Sequence, residues 1–323
     1  MTSKKTLWRA RIFGLTVAMV GALGSVAMLG TLGAAVLGPD SEVSSQPRAG
    51  AGLRQAPPKC GTRARTDDEI ALDAARVADF TKRRGAAKPG TVITINTYVH
   101  VIHDGENGLI PERMIRDQIA VLNEAFAVYG FRFELAPSVR GNPNPDYSDN
   151  AAWYNDDEVA YKTALKEGSG DDLNIYTNSG GGYLGYAYYP TIVGSGYDVL
   201  DGVVLAWGTL PDANQPGISD IPGFVYNLGD TGTHEVGHYL GLAHTFEGSC
   251  SPFNDGVADT PAERSPDFYC TEGRNSCKDG NGPVALDPIH NFMDYSDDVC
   301  LFEFTGGQGE RMNVQWALYR QGR

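Results

Sequence analysis

The segment THEVGHYLGLAHTF, Thr233 to Phe246, restricts this chain more than any other stretch. It holds three of the six histidines in 323 residues. His234 and His238 are four apart, so on a helix they share one face a single turn from each other. Two imidazoles at that separation can grip one metal ion. His244 lies six past His238 and cannot join them on the same helix. Gly241 resolves this, because glycine adopts the left-handed conformation that ends a helix and turns the chain back. Three neutral nitrogen donors with one open position suit zinc used for catalysis. Glu235 follows the first histidine and can reach the open position as a general base for a water there. A chance occurrence of H-E-x-x-H-x-x-G-x-x-H in a chain this long is roughly one in 10⁵, which sets aside incidental histidines.

The remainder of the chain must support such a site. Lys4, Lys5, Arg9 and Arg11 precede a run from Ile12 to Leu37 that carries no charge. Residues 1–38 therefore read as an export signal, with a retained N-terminal anchor as the alternative. Either way, the rest is expected outside the cytoplasm: secreted and extracellular, or anchored at the outer face of a membrane. Residues 39–90 read as a polar linker and pro-segment, with a helix over 66–84 that ends in the basic TKRRG. Residues 91–323 carry 12 basic and 33 acidic side chains, a balance of −21. That charge excludes nucleic acid and anionic lipid as expected partners. A membrane partner is expected only if the N-terminal segment is kept.

Alternating, β-branched stretches predict strands at 91–105, 131–135, 173–177 and 201–207, and the Gly/Tyr-rich loop after Ser179 has room for a short one. Helices are predicted from Pro111, with Ile115, Ile119, Leu122 and Phe126 on one face, and over 151–167, 230–241 and 308–320. The order implies a mixed sheet with helices on it, an α+β fold. Four of the five cysteines, Cys250, Cys270, Cys277 and Cys300, fall in the last 75 residues. In an oxidising compartment they form two disulfides, and their spacing leaves all three pairings open. Cys60 is left over. His100 and His103, on the first strand, read as structural, and His290 as a packing residue.

The eleven-residue pattern is the metzincin motif. Together YNLGDTGTHEVGHYLGLAHTFEGSC, VADTP, NFMDYSDDVC and FTGGQGERM resemble the pappalysin (cytophagalysin) family of metzincins, in particular ulilysin-like secreted proteases. The resemblance covers about residues 91–320. It implies a metzincin-type catalytic domain with a twisted mixed five-stranded sheet, a backing helix and an active-site helix. An irregular, disulfide-stapled C-terminal subdomain would follow. The boundaries would be 91–241 for the upper subdomain and 242–323 for the lower. It further implies that Met293 forms the Met-turn under the metal and that Tyr295 donates to the oxyanion. The pairings it favours are Cys250–Cys277 and Cys270–Cys300.

Relatives carry a similar Cys-Gly-Thr in their pro-segments, so Cys60 would fill the fourth zinc position in a latent precursor and the pro-segment would be its own inhibitor. Asp255, Asp259 and Thr260 form an oxygen-rich Gly/Pro loop that suits calcium. In metzincins an edge strand binds extended protein or peptide substrates, and DGVVLAW is expected to be that strand. Asp297 or Asp298 would line a pocket for Lys or Arg just after the scissile bond. The expected function is thus a zinc-dependent endopeptidase made as a zymogen. The alternative is a secreted zinc-containing binding or adhesion module with little or no turnover.

Overall fold

The computed structural model describes residues 60–84, 92–103, 108–136, 141–142, 156–211, 225–251, 254–277 and 285–323. The export or anchor segment, the linker before Cys60 and Gly85 of the basic TKRRG stretch lie outside the described residues. So do residues 151–155 of the helix expected over 151–167.

Strand β1 (Ile93–Ile102) lies inside the sheet, and its buried residues crowd its second half. It pairs in parallel with β2 (Phe131–Leu135) on one side and β4 (Leu173–Asn178) on the other. A two-residue strand β3 (Gly141–Asn142) also pairs with β1. β6 (Val203–Ala206) runs parallel to β4, and β5 (Gly185–Ala187) runs antiparallel along the outer side of β6. The five main strands stand in the order β2-β1-β4-β6-β5, the mixed sheet that the order of elements implied.

One expectation fails here. DGVVLAW is not the edge strand: β6 lies between β4 and β5, and the edge is β5 from the Gly/Tyr-rich stretch. The physical reason is visible in the residues. Val203 to Ala206 form an unbroken apolar run, the mark of a strand covered on both faces, and all four are buried.

Helix α2 (Glu112–Phe126) begins after Pro111 and buries Met114, Ile115, Ile119, Leu122 and Phe126. These side chains join Ile95 and Val99 of β1, Val236 and Tyr239 of α4 (Asp230–Tyr239), and Met312 of α5 (Gly306–Gln315) in the main core. A second cluster gathers Ile102, Tyr176, Tyr186 and Val204 around Tyr161 of α3 (Asp156–Leu165). Successive strand residues point to opposite faces. Thus Val203 and Leu205 enter the first core and Val204 the second.

Helix α5 starts two residues before the expected position. Thr305 and Gln308 form a reciprocal capping box at its N-terminus, and the helix continues as a π-turn over Trp316–Arg320. Arg320 is fully buried and meets Asp201 through two bonds of 2.8 and 2.9 Å. Its Nε donates to the carbonyl of Tyr239 at 3.0 Å. The C-terminal turn is thereby fastened to the end of α4. Beyond Gly241 the chain is mostly irregular and is stapled by Cys250–Cys277 and Cys270–Cys300. Helix α1 (Asp67–Arg84) precedes the sheet, and residues 56–323 form one compact unit.

Candidate active site

Every residue of α4 is buried. The helix ends in a Schellman arrangement, with Gly241 at φ +94°: its N–H donates to the carbonyl of His238, and Leu242 N–H donates to that of Gly237, both at 2.9 Å. The same turn orients a ligand, because His238 Nδ1 donates to the Leu242 carbonyl at 2.7 Å. His234 Nδ1 donates to the carbonyl of Phe292 at 2.7 Å, just ahead of Met293. Both rings thus keep their protons on Nδ1 and turn Nε2 toward the cleft. Burial drives the His238 imidazole down to about 3, which keeps it neutral at physiological pH.

His244 arrives on the return of the chain. Its Nε2 is 3.1 Å from that of His238. Cys60 Sγ lies 3.5 Å from His238 Nε2. One donor atom from each of Cys60, His234, His238 and His244 falls within 4.8 Å of the others. Zinc with bonds of about 2.0–2.1 Å to nitrogen and about 2.3 Å to sulfur, at tetrahedral angles, separates its ligands by about 3.3–3.6 Å. The donor set fits zinc in chemistry, and the two separations at His238, 3.1 Å to His244 and 3.5 Å to Cys60, are close to that spacing. The other clustered set, Cys270, His290 and Cys300, is not a metal site, because its sulfurs belong to a disulfide. His290 stacks on Phe302 and its Nδ1 donates to the Cys300 carbonyl at 2.9 Å. His100 stacks on Tyr176 and bonds Asn174.

Glu235 is fully buried, with Oε2 3.4 Å from Cys60 Sγ and 3.1 Å from Thr62 Oγ1. Tyr295 reaches the site from the lower part of the chain, with its hydroxyl 3.2 Å from His244 Nε2. Burial, reinforced by Cys60 and Glu235, raises the Tyr295 phenol well above its usual range, so it stays protonated. Met293 is completely buried, and its sulfur lies 2.4 Å from the point where a Cβ on Gly237 would stand.

The segment around Cys60 lies on the sheet edge. Cys60 bridges to Gly185 in parallel sense, and Gly61 N–H donates to the Gly185 carbonyl at 2.9 Å. Thr62 Oγ1 accepts from Ala187 N–H at 2.8 Å. Thr62 and the pairing along β5 were not anticipated from the sequence. The only signal was the Cys-Gly-Thr string, which says nothing about which strand it meets.

The oxygen-rich loop does not gather its acids at one point. Asp259 accepts from Thr305 Oγ1 at 2.8 Å and from Gly307 N–H at 2.9 Å, so both its oxygens serve the start of α5. Asp255 is buried, accepts from Val257 N–H at 2.9 Å, and is pushed up to about 7 by burial. Thr260 is buried close by in sequence. Asp298 is also buried, and its Oδ2 accepts from Leu228 N–H at 2.8 Å ahead of α4. Asp297 is half-buried.

The family profile described as pregnancy-associated plasma protein-A matches residues 223–317. An extracellular metalloprotease of Verticillium alfalfae is 40% identical over 272 residues, covering 81% of this chain and 89% of that protein. Extracellular metalloprotease 1 of Coccidioides posadasii is 42% identical, over 72% of this chain and 79% of its own length. Among solved structures, mature mirolysin of Tannerella forsythia in complex with a cleaved peptide aligns with a TM-score of 0.58 at 26% identity. That match covers 72% of this chain and 97% of mirolysin. A promirolysin variant shares the fold, with a TM-score of 0.63 at 24% identity over 81% of this chain and 94% of its own. Identity of this extent to proteases of the same kind, on a chain whose three motif histidines converge, makes it a member of the pappalysin family of metzincins, a zinc metalloendopeptidase.

Proposed function

We propose that the chain is a secreted endopeptidase made as a latent precursor, with His234, His238 and His244 holding the zinc and Cys60 occupying its fourth position until residues up to about 90 are removed. The observation that carries this reading is the approach of the Cys60 sulfur to the same point as three imidazole nitrogens. In that arrangement the thiol and Thr62 take up the side of Glu235 where a water would have to bind. Promirolysin, whose name describes a precursor, supports it through likeness of fold. Secretion is supported by the naming of the relatives as extracellular. Among the described residues no helix is long and apolar enough to cross a membrane.

Bound zinc supplies a Lewis acid that acidifies water and polarises a peptide carbonyl. The chain's own residues do the rest. Once Cys60 and Thr62 leave, Glu235 Oε2 is relieved of both contacts and can take a proton from the attacking water, then deliver it to the departing amine. Tyr295, held protonated, donates to the oxygen that gains charge in the transition state. Strand β5, which lends its backbone to residues 60–62 in the precursor, offers the same groups to an extended protein or peptide substrate.

Two finer features belong to the same proposal. A preference for Lys or Arg just after the scissile bond would come from the acids after Met293, and Asp297 is the better candidate because Asp298 already braces the start of α4. Calcium is proposed at Asp255 with Thr260, where a cation would restore charge to a carboxyl that burial holds near neutrality. Asp259 is committed to α5 and contributes less.

The test compares purified precursor, the form cut near residue 90, and a Glu235→Ala variant of each. Zinc content and cleavage of a peptide library are measured with and without chelator. The proposal requires zinc in all forms, turnover only in the cut form, and a loss of at least about 10³-fold on removal of Glu235. A cut Glu235→Ala form that cleaves like the unmodified enzyme would sink it. Biological activity surviving that change would favour the binding-module reading.

A further inference from the structure

Helix α1 docks in an unusual way. Among its residues whose exposure is described, Asp68 to Arg83, the single buried one is Asp73, at 4% exposed. Leu72 beside it is 54% exposed. An amphipathic helix normally buries an apolar stripe, whereas this one buries a carboxylate. A cavity of about 210 Å³, lined in part by Arg65, Leu72, Asp73, Arg76, Tyr189 and Gln315, lies beside it.

Asp73 is satisfied by side chains from beyond the pro-segment. Its Oδ2 accepts from Arg311 at 2.7 Å and from Gln315 at 2.7 Å, and its Oδ1 accepts from the Tyr319 hydroxyl at 3.0 Å. All three donors stand on α5 or the turn that continues it. Arg65, five residues after Cys60, adds a bond to Oδ2 at 3.3 Å. Arg65 also reaches Glu247 at 3.4 Å and lies over the Tyr189 ring at 4.8 Å. Arg311 is held independently, through its Nε on the Gly241 carbonyl at 2.9 Å. The receiving groups are therefore organised by the protease body and not by the pro-segment.

We propose that Arg311, Gln315 and Tyr319 form a carboxylate socket, separate from the metal centre, and that Asp73 is its ligand, so that the pro-segment is anchored at two points. The inference rests on the reading that this segment leaves the mature enzyme. Asp73 stands between two guanidinium groups and bridges them, while Glu247 adds a second negative charge beside Arg65. Without it Arg311 loses a hydrogen-bonded carboxylate while Arg65 keeps Glu247 and both still feel Asp255, so two guanidinium groups face each other with less compensation and the hold on the segment joining Cys60 to α1 weakens. Because α1 contributes little apolar burial, the docking of the helix itself rests largely on this carboxylate, with Arg76 on Tyr319 beside it. A cut between α1 and β1 alone then leaves the fragment seated. The mature enzyme can bind its own released pro-segment, or an acidic helical peptide like it, at the same socket.

The experiment uses the full precursor in a Glu235→Gln background, which suppresses self-cleavage. A site for a sequence-specific protease is inserted after Arg84, the chain is cut, and the dissociation constant of the N-terminal fragment for the zinc-loaded body is measured. The fragment carries Asp73→Asn, Cys60→Ser or neither, so the body is identical in all three. Asp73→Asn is expected to weaken binding by about 100-fold or more. A fragment with Asp73→Asn that binds as tightly as the unmodified one overturns the inference. Tyr319→Phe on the body guards against a fragment that merely loses its helix. It should weaken the unmodified fragment about three- to tenfold and the Asp73→Asn fragment much less, and equal losses in both count against the socket. Cys60→Ser reports the other anchor: if it has no effect while Asp73→Asn does, the socket stands and the cysteine reading of latency fails.

Discussion

Gly237 and Met293 meet at a position that has no room for a side chain. A Cβ on Gly237 would stand 2.4 Å from the Met293 sulfur, and Met293 is completely buried. The glycine between the two helical histidines is what lets the residue before Asp294 close beneath them. Gly237→Ala is expected to force Met293 aside and cost about 1–3 kcal/mol, the usual penalty for overpacking a filled core. Urea unfolding of the zinc-loaded precursor measures this, and zinc retention should fall in parallel. Unchanged unfolding would mean that Met293 has slack that its burial does not suggest.

Tyr295→Phe separates a transition-state donor from a packing residue. The ring contacts with Phe246 and Phe268, at 4.8 and 5.8 Å between centroids, survive the change. Zinc content and stability should therefore hold. In the cut form kcat should fall by about 10²-fold with KM nearly constant, as expected for an interaction made only in the transition state. A rise in KM at constant kcat would assign the hydroxyl to substrate binding instead.

Asp255 makes stability depend on pH in a defined window. Its carboxyl moves from 3.8 up to about 7, chiefly because burial penalises the charged form. Below about pH 4 both folded and unfolded chains hold the proton. Between about 4 and 7 the unfolded chain loses it first, so folding binds a proton and stability falls as pH rises. Above 7 this contribution is flat. Asp255→Asn should remove that part of the slope in calcium-free denaturation curves. If Asp255 ligates calcium, the ion should stabilise the unmodified protein most above pH 7 and act more weakly on the variant.

Arg320→Met tests the lock that fastens the C-terminal turn to Asp201 and the end of α4. It would leave Asp201, 1% exposed, without the two bonds it now accepts. A buried carboxylate stripped of its partner costs about 3–5 kcal/mol. The melting temperature should drop sharply, and Asp201→Asn in the same chain should recover part of the loss. A double variant no better than the single one would show that the packing of Arg320 over Tyr239, 3.4 Å from its ring centroid, matters more than its charge.

The convergence of the three histidines was legible because it is local. Two histidines four apart, a glycine three residues on and a histidine three beyond that specify a helix, its end and a return, whatever surrounds them. The same holds for α2, whose apolar spacing and leading proline appear in the structure over Glu112–Phe126. Edge and interior strands were harder to tell apart. The apolar run at 203–206 signals burial on both faces, yet the identity of its outer neighbour depends on a three-residue strand too short to carry a periodic pattern.

The sequence alone determined which donors exist and how they are spaced: His234, His238, His244, Glu235 and one unpaired thiol at Cys60. Only the tertiary structure decided what meets them. It set Cys60 along β5, Met293 under Gly237, Tyr295 beside His244, and Asp73 on a helix more than two hundred residues away. Bonds between neighbours in the chain follow from periods of two and 3.6. Contacts at long separation depend on how whole elements pack, and no local period encodes that.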